Sequence, residues 1–269
     1  MSILDSVPSE AKCERIVRNS LFGNRPYCPV CLSSHVRSVE GRYWCPKCRK
    51  KFSLTSATWL RHRRIGFRLV VLLLVCWQKK IAFGSTVLFS GLSAPTVRRY
   101  FRLFRDHLVY ESPRLQGLVE IDEAWLGKRR HGNQTIAIGV TERGSDRTVI
   151  RIAKARDQEW TDKLLLDHVD PKGSFVFHDG WEGYHGIDAF FGYRHSFHIH
   201  DQGDFGPTNH IENVWSRLKR FITRTWDHSW KEHLPRVLRE FEARINAPEM
   251  FENPPTYLHI CLTLVPRAC

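Results

Sequence analysis

The hydrophobic rhythm of the chain changes near residue 112. Before that point apolar positions recur at helical spacing. Ile65 to Gln78 contains the unbroken run Leu69-Val-Val-Leu-Leu-Leu-Val-Cys-Trp77 and predicts one buried helix. The run is about half the roughly 20 residues that span a bilayer, and Arg68 and Lys79-Lys80 flank it, so a membrane span is not expected. Ile81 to Ser90 and Ala94 to Arg105 predict two more helices around the turn Gly91-Leu-Ser93. Ser93 is the expected N-cap, and Pro95 sits in the first turn, where a missing N–H costs nothing. Val97, Phe101 and Phe104 fall at i, i+4 and i+7 and form one apolar face. Arg98, Arg99, Arg102 and Arg105 are expected away from it. A helix, a tight turn and a basic helix make a helix-turn-helix pattern suited to a DNA major groove.

After residue 112 the period shortens to that of strands. Leu118 to Trp125, Thr135 to Thr141 and Thr148 to Ala153 predict three strands, the last two joined by the turn Arg143-Gly-Ser-Asp146. Gln158 to His168 predicts a helix, Ser174 to His178 a fourth strand, and Glu182 to Phe190 a further helix. Thr208 to Thr223, capped by Thr208 or Asn209, and Lys231 to Asn246 predict two more helices. Three strands, a helix, a strand and then helices is an α/β order, a mixed sheet flanked by helices. Ala247 to Cys269 has no readable period.

Charge separates the same two parts. Residues 1–110 hold 20 basic and 5 acidic side chains, a net of +15, whereas residues 111–269 hold 21 basic and 23 acidic, a net of −2. An excess confined to one part predicts a polyanion-binding half, with nucleic acid as partner, joined to a half with another task. Two cysteine pairs lie inside the basic part, Cys28-Pro-Val-Cys31 and Cys45-Pro-Lys-Cys48. This spacing closes a tetrahedral zinc site from two knuckles. The segment between them is too short for its own core, so metal ligation is expected to supply its folding energy. Cys13, Cys76, Cys261 and Cys269 are scattered, which suits free thiols in a reducing compartment. The first residues lack a basic segment followed by an apolar run, so no signal peptide is expected.

Three carboxylates stand out by their placement. Asp122 lies in the first strand after residue 112, Asp179 ends the fourth, and Glu212 lies in the helix from Thr208. A carboxylate at a strand end followed by Gly is exposed where ligands commonly bind at a sheet. Converging carboxylates repel one another, and two hard divalent cations relieve that repulsion. Such a pair activates an attacking oxygen and stabilises a leaving one in phosphodiester displacement. Glu123 is expected to point to the opposite side of the strand from Asp122. His178, His185, His195, His198, His200 and His210 form a dense group, expected to be structural or DNA-facing.

Specific segments carry a resemblance from about residue 24 to residue 246: Tyr27-Cys-Pro-Val-Cys31, Tyr43-Trp-Cys-Pro-Lys-Cys48, Phe52, Val119-Glu-Ile-Asp-Glu123, Asp179-Gly-Trp-Glu-Gly-Tyr184, Thr208-Asn-His-Ile-Glu-Asn-Val-Trp-Ser-Arg-Leu-Lys219, His233-Leu234 and Glu240-Phe-Glu-Ala-Arg244. The chain resembles DDE-type insertion-sequence transposases with an N-terminal zinc ribbon, the group related to the Merlin elements. The resemblance implies a ribonuclease H-like catalytic core, Mg²⁺ or Mn²⁺ dependence beside a structural Zn²⁺, and binding to terminal inverted repeats and target DNA. It also implies an oligomer on DNA and a DNA-associated, intracellular location.

By this resemblance Asp122 and Asp179 are the first two metal ligands. Members of the group vary at the third position, and Asn209, Glu212 and Asn213 all fall within one turn here. Glu212 is preferred as the only carboxylate, with Asn209 as the alternative and Lys219 as a contact to terminal phosphates. The expected domains are a zinc ribbon (1–55), a helix-turn-helix region (56–112), a catalytic domain (113–250) and a tail (251–269). The alternative to an active enzyme is a transposase-derived binding protein or a zinc-ribbon regulator without catalysis.

Overall fold

The structure, a computed structural model, describes residues 7–23, 25–127, 134–184, 186–197, 208–225 and 231–263. His185, His198 and His200, and the chain end from residue 264, lie outside them. In chain order the elements are α1 (Glu10–Phe22), β1 (Arg37–Val39), β2 (Arg42–Trp44), β3 (Lys51–Phe52), α2 (Phe67–Gln78), α3 (Phe83–Ser90) and α4 (Ala94–Asp106). Then follow β4 (Leu115–Leu126), β5 (Thr135–Glu142), β6 (Thr148–Ala153), α5 (Gln158–His168), β7 (Val169–His178), α6 (Ile187–Phe191) and β8 (Arg194–Phe197). The last helices are α7 (Asn209–Thr225), α8 (Leu234–Asn246) and α9 (Pro254–Cys261). Two compact units result, residues 1–109 with 249–269, and residues 110–248.

In the first unit β1, β2 and β3 form a small antiparallel sheet between the cysteine pairs. The apolar run forms α2, buried on nearly every side, with Val70, Leu72, Leu73 and Leu74 at 0% exposure. A helix apolar all round must be covered all round, and α1, α4 and α9 all pack on it. The segment after residue 246, unreadable in the sequence, thus contributes α9 to this unit. Asn253 accepts a hydrogen bond from the Thr256 N–H to start α9, and Tyr257, Leu258 and Cys261 are buried. The Gln78 side-chain amide donates to the carbonyls of Met250 and Asn253, 2.8 Å each.

The helix, turn and helix appear as α3, Gly91 in the left-handed region (φ 63°) and α4. Ser93 does precede α4, but its hydroxyl lies 2.9 Å from the Thr96 hydroxyl and makes no hydrogen bond to a backbone N–H. Arg98, Arg99 and Arg102 are exposed. Arg105 is not: it is 6% exposed. Val97, Phe101 and Arg105 are spaced by four, so the residue falls on the buried face of α4.

The second unit is a five-stranded mixed sheet in the order β6-β5-β4-β7-β8. The first three strands are antiparallel; β7 pairs parallel to β4, and β8 parallel to β7. This is the mixed sheet that the α/β order of the sequence predicts. Alternation sorts its side chains to two faces. Val119, Ile121, Ile138, Val140 and Val149 pack with Leu164 and Leu165 of α5 on one. Ala124, Leu126, Ala137 and Ile150 pack with Ile211, Trp215, Leu218 and Phe221 of α7 and Val237, Leu238 and Phe241 of α8 on the other. Each such large apolar side chain contributes at most about 1.5–3 kcal/mol. The fifth strand, β8, is missing from the sequence reading. Its residues Arg194-His-Ser-Phe lie at the sheet edge, none is fully buried, and they lack apolar alternation. The helix expected over Glu182 to Phe190 is a 3-10 turn at Glu182–Tyr184 followed by the short α6.

One buried charge holds α8 on the sheet. Glu242, 1% exposed, accepts hydrogen bonds from the Ile150 N–H (2.9 Å), Arg151 (2.9 Å), the Tyr110 hydroxyl (3.0 Å) and the Ser112 hydroxyl. So many donors offset the cost of taking a carboxylate out of water.

Candidate active site and zinc site

The four cysteines converge, one sulfur from each lying within 4.8 Å of every other. Cys28 and Cys48 sulfurs are 3.5 Å apart, as are those of Cys31 and Cys45. Tetrahedral zinc, with Zn–S near 2.3 Å, needs sulfurs about 3.8 Å apart, so this donor set suits a structural zinc ion. Each knuckle is tied by its own backbone: the Leu32 N–H donates to the Cys28 carbonyl, and the Cys45 N–H to the Lys50 carbonyl. A hydrogen bond from the Cys48 backbone N–H is the largest influence lowering the Cys45 thiol to about 7, whereas burial pushes Cys48 up to about 12.

In the second unit a group of acids gathers where β7 ends. Pairing of β4 with β7 stops at Glu120 and Phe177, yet β4 continues to Leu126. Among the described residues, the edge of β4 beyond that point has no strand partner on the β7 side. Asp179 follows the last residue of β7, and Gly180, with φ 84°, turns the chain away in a conformation that favours glycine. One carboxylate oxygen from each of Asp122, Glu123 and Asp179 lies within 4.8 Å of the others. Glu123 does face away from Asp122, as expected: it bonds Tyr184 in the layer with α5, whereas Asp122 bonds Trp215 of α7. Where the β4–β7 pairing ends, one oxygen of each nevertheless reaches the same group.

Each acid is oriented by a partner. The Trp215 indole N–H donates to Asp122 Oδ2 at 3.0 Å, the Tyr184 hydroxyl to Glu123 Oε1 at 2.7 Å, and the Trp181 backbone N–H to Asp179 Oδ1 at 3.0 Å. Trp215 reaches Asp122 across Gly139, which is paired with Asp122 on β5. A Cβ at Gly139 would lie 2.7 Å from the Trp215 ring, so only glycine admits this approach. Burial first, then the neighbouring charges of Glu123 and Asp179, raise Asp122 to about 7. Burial also raises Glu123, opposed by Tyr184 and Arg156.

Two partners were not anticipated. Arg156, on the loop before α5, lies 3.3 Å from Glu123 Oε2 and 3.8 Å from Asp179 Oδ2. Its guanidinium also stacks over Trp181, 4.4 Å from the ring centroid. The acids thus do have a basic neighbour, whose signal in the sequence was only its place in a loop between strand and helix. The other is Glu120, fully buried two residues before Asp122. It accepts the backbone N–H groups of His210 (2.8 Å) and Ile211 (2.9 Å) and pairs with Arg143 at 2.5 Å. A carboxylate at these orphan N–H groups caps α7 from a strand, doing what Thr208 or Asn209 was expected to do.

The remaining expected site residues all lie on α7. Glu212 is exposed, its Oε1 accepting from the Thr208 hydroxyl at 3.3 Å, and it is not a member of the carboxylate group. Asn209 and Lys219 are exposed. Among the histidines, His178 is buried with its Nε2 2.9 Å from His195 Nδ1, while its Nδ1 accepts from the Gly180 N–H. This ring braces the turn that carries Asp179.

Comparison with known proteins assigns a family to both parts of the chain. Residues 114–246 match the ISXO2-like transposase domain, and residues 8–51 match the transposase zinc-ribbon domain. The chain belongs to the DDE-type insertion-sequence transposases with an N-terminal zinc ribbon. No curated protein matches it. Among solved structures, a simian T-cell lymphotropic virus intasome in complex with PP2A regulatory subunit B56 gamma is similar at 10% identity and TM-score 0.39, over 70% of this chain and 73% of that one. The HTLV-2 integrase catalytic core domain in complex with magnesium is similar at 8% identity and TM-score 0.35, over 55% of this chain and 98% of that one. The transposase match spans the whole carboxylate group and α7, and its oxygen donors suit a divalent cation as the four thiols suit zinc. Among the described residues no helix is long and apolar enough to cross a membrane.

Proposed function

We propose that this transposase binds the terminal inverted repeats of its element and catalyses metal-dependent cleavage and strand transfer at the carboxylate group on β4 and β7. The convergence of Asp122, Glu123 and Asp179 within a transposase domain carries this reading. In the reaction, water attacks a phosphodiester at the element end, the P–O3′ bond breaks, and a free 3′-hydroxyl is left. That hydroxyl then attacks a target phosphodiester, one P–O bond forming as another breaks. Divalent cations bound there would activate the attacking oxygen and stabilise the leaving one.

The residues of the chain supply position. Asp122, Glu123 and Asp179 would hold the cations, each with one oxygen tethered by Trp215, Tyr184 or the Trp181 amide. Because Glu123 rather than Glu212 joins the pair, Glu123 is the third carboxylate of this reading. Glu212, Asn209 and Lys219 on the exposed side of α7 are then placed for DNA rather than for metal. Arg98, Arg99 and Arg102 would take backbone phosphates and base edges along α4, within the part that holds the net +15. The protein would work as a homo-oligomer on duplex DNA.

A strand-transfer assay with oligonucleotides bearing the element ends, in Mg²⁺ or Mn²⁺, tests the reading. Asp122→Asn and Asp179→Asn should each lose on the order of 1,000-fold in rate and keep their DNA affinity. Wild-type rates in both variants would sink the proposal.

A further inference from the structure

We infer that Arg156 is a displaceable counter-ion of the carboxylate group, held on it without cations and released to a DNA phosphate when cations bind. The inference rests on the proposed reading that Asp122, Glu123 and Asp179 hold divalent cations. Arg156 faces Glu123 Oε2 and Asp179 Oδ2, while Tyr184 and the Trp181 amide take the opposite oxygens, Oε1 and Oδ1. The two oxygens that it covers are those left for a ligand by the tethers. Guanidinium and cation therefore compete for one place.

The geometry of the residue suits an exchange. Glu123 is buried, at 3% side-chain exposure, but Arg156 is 38% exposed and reaches the acids from the solvent side. Its distance to Asp179 is long for a direct hydrogen bond, 3.8 Å, so that contact is weak. The Trp181 face offers the guanidinium a second resting place that does not depend on the acids. Two divalent cations would overcompensate three carboxylates and repel a guanidinium. A phosphodiester entering the site restores its attraction, and the planar fork of arginine binds phosphate by paired hydrogen bonds.

The test uses full-length, zinc-loaded protein without DNA, titrated with Mn²⁺ alone by calorimetry. Arg156→Ala should bind Mn²⁺ about three- to tenfold more tightly than wild type, because the competitor is gone. Arg156→Gln, which keeps the bulk and loses the charge, should do the same. Duplex with a processed element end is then bound in Ca²⁺ and in buffer without added divalent cations. The variants should lose affinity in Ca²⁺ and match wild type without it. Unchanged or weaker Mn²⁺ binding by both variants, with wild-type melting curves, overturns the inference and leaves the metal site standing. Mn²⁺ binding by wild type that Asp179→Asn does not weaken overturns the metal site and the inference together.

Discussion

The zinc ribbon and the carboxylate group are both convergent ligand sets, and the chain builds them in opposite ways. The four thiols come from 21 consecutive residues, and each knuckle closes on its own backbone. The carboxylates of Asp122, Glu123 and Asp179 come from strands whose pairing joins distant parts of the chain, and they are oriented by Trp215 of α7 and by Tyr184 and Trp181 of the turn after Asp179. The ribbon has little core beyond the metal, so there the metal is the fold. The acids stand on a sheet with an apolar layer on each face, so there the fold exists first and the metal serves the reaction. A ligand set that must fold by binding metal is encoded locally. One that must wait for substrate is encoded by topology.

The strongest way to break this contrast is to remove each metal. Cys45→Ser should cost the ribbon its zinc and with it on the order of 10 kcal/mol of metal-coupled folding energy. Elemental analysis should fall to no zinc, and residues 110–248 should melt as in wild type. A ribbon that keeps its structure in the zinc-free variant would erase the distinction. Withholding Mg²⁺ and Mn²⁺ from zinc-loaded wild type should lose no melting transition and shift that of residues 110–248 by a few degrees at most.

The identity of the third acid sharpens the second half of the contrast. Glu123→Gln should slow strand transfer on the order of 100-fold, because it weakens a ligand at the reacting atoms. Glu212→Gln, on the exposed face of α7, should stay within a few-fold in rate and act on DNA affinity instead. The reverse ranking would show that α7 moves its carboxylate into the site and that the expectation built on Glu212 was right.

Those two glutamates also show where sequence reasoning reaches its limit. Strands β4 to β7 were legible because apolar alternation marks a sheet with two packed faces. Alternation places Glu123 opposite Asp122, and it does face Tyr184 rather than Trp215, but alternation does not reveal that one oxygen of each reaches the same group where the β4–β7 pairing ends. Whether β4 outruns β7 depends on register, which a lone sequence does not display. Arg156 and Glu120 were invisible for the same reason, since each acts on residues distant in the chain. Arg105, by contrast, was misread rather than hidden: counting by four from Val97 and Phe101 places it on the buried face of α4. Asn253 and the prolines after it were likewise a legible cap for α9.

The reach of topology is tested by Glu120, which joins β4 to the start of α7. Glu120→Gln keeps the shape but leaves Arg143 and the His210 and Ile211 N–H groups with a weaker acceptor. It should destabilise residues 110–248 by about 2 kcal/mol, read from the denaturation midpoint. Cation affinity should fall with it, since Trp215 on α7 orients Asp122. A stable variant that binds cations normally would show that α7 is held by its apolar face alone.

The smallest expected effect is a pH dependence that separates a site waiting for its cation from one that is already complete. Asp122 is raised from 3.8 to about 7, chiefly by burial, so without cations the folded protein holds this proton more tightly than the unfolded chain does. Between roughly pH 4 and pH 7 the native state therefore binds more protons than the unfolded state, and stability contributed at this position falls as pH rises through that window. Asp122→Asn, which cannot ionise, should escape the loss. Without added divalent cations its melting temperature should draw level with or pass that of wild type between pH 5 and pH 8, by a few degrees at most, with no further gain above about pH 7. Mg²⁺ should reverse the order at pH 8, because a cation stabilises the ionised carboxylate of wild type and has less to bind in the variant. Parallel melting profiles for the two proteins across the whole range, with and without Mg²⁺, would mean that Asp122 ionises as freely as a surface acid, and that the group on β4 and β7 is not strained for want of a cation.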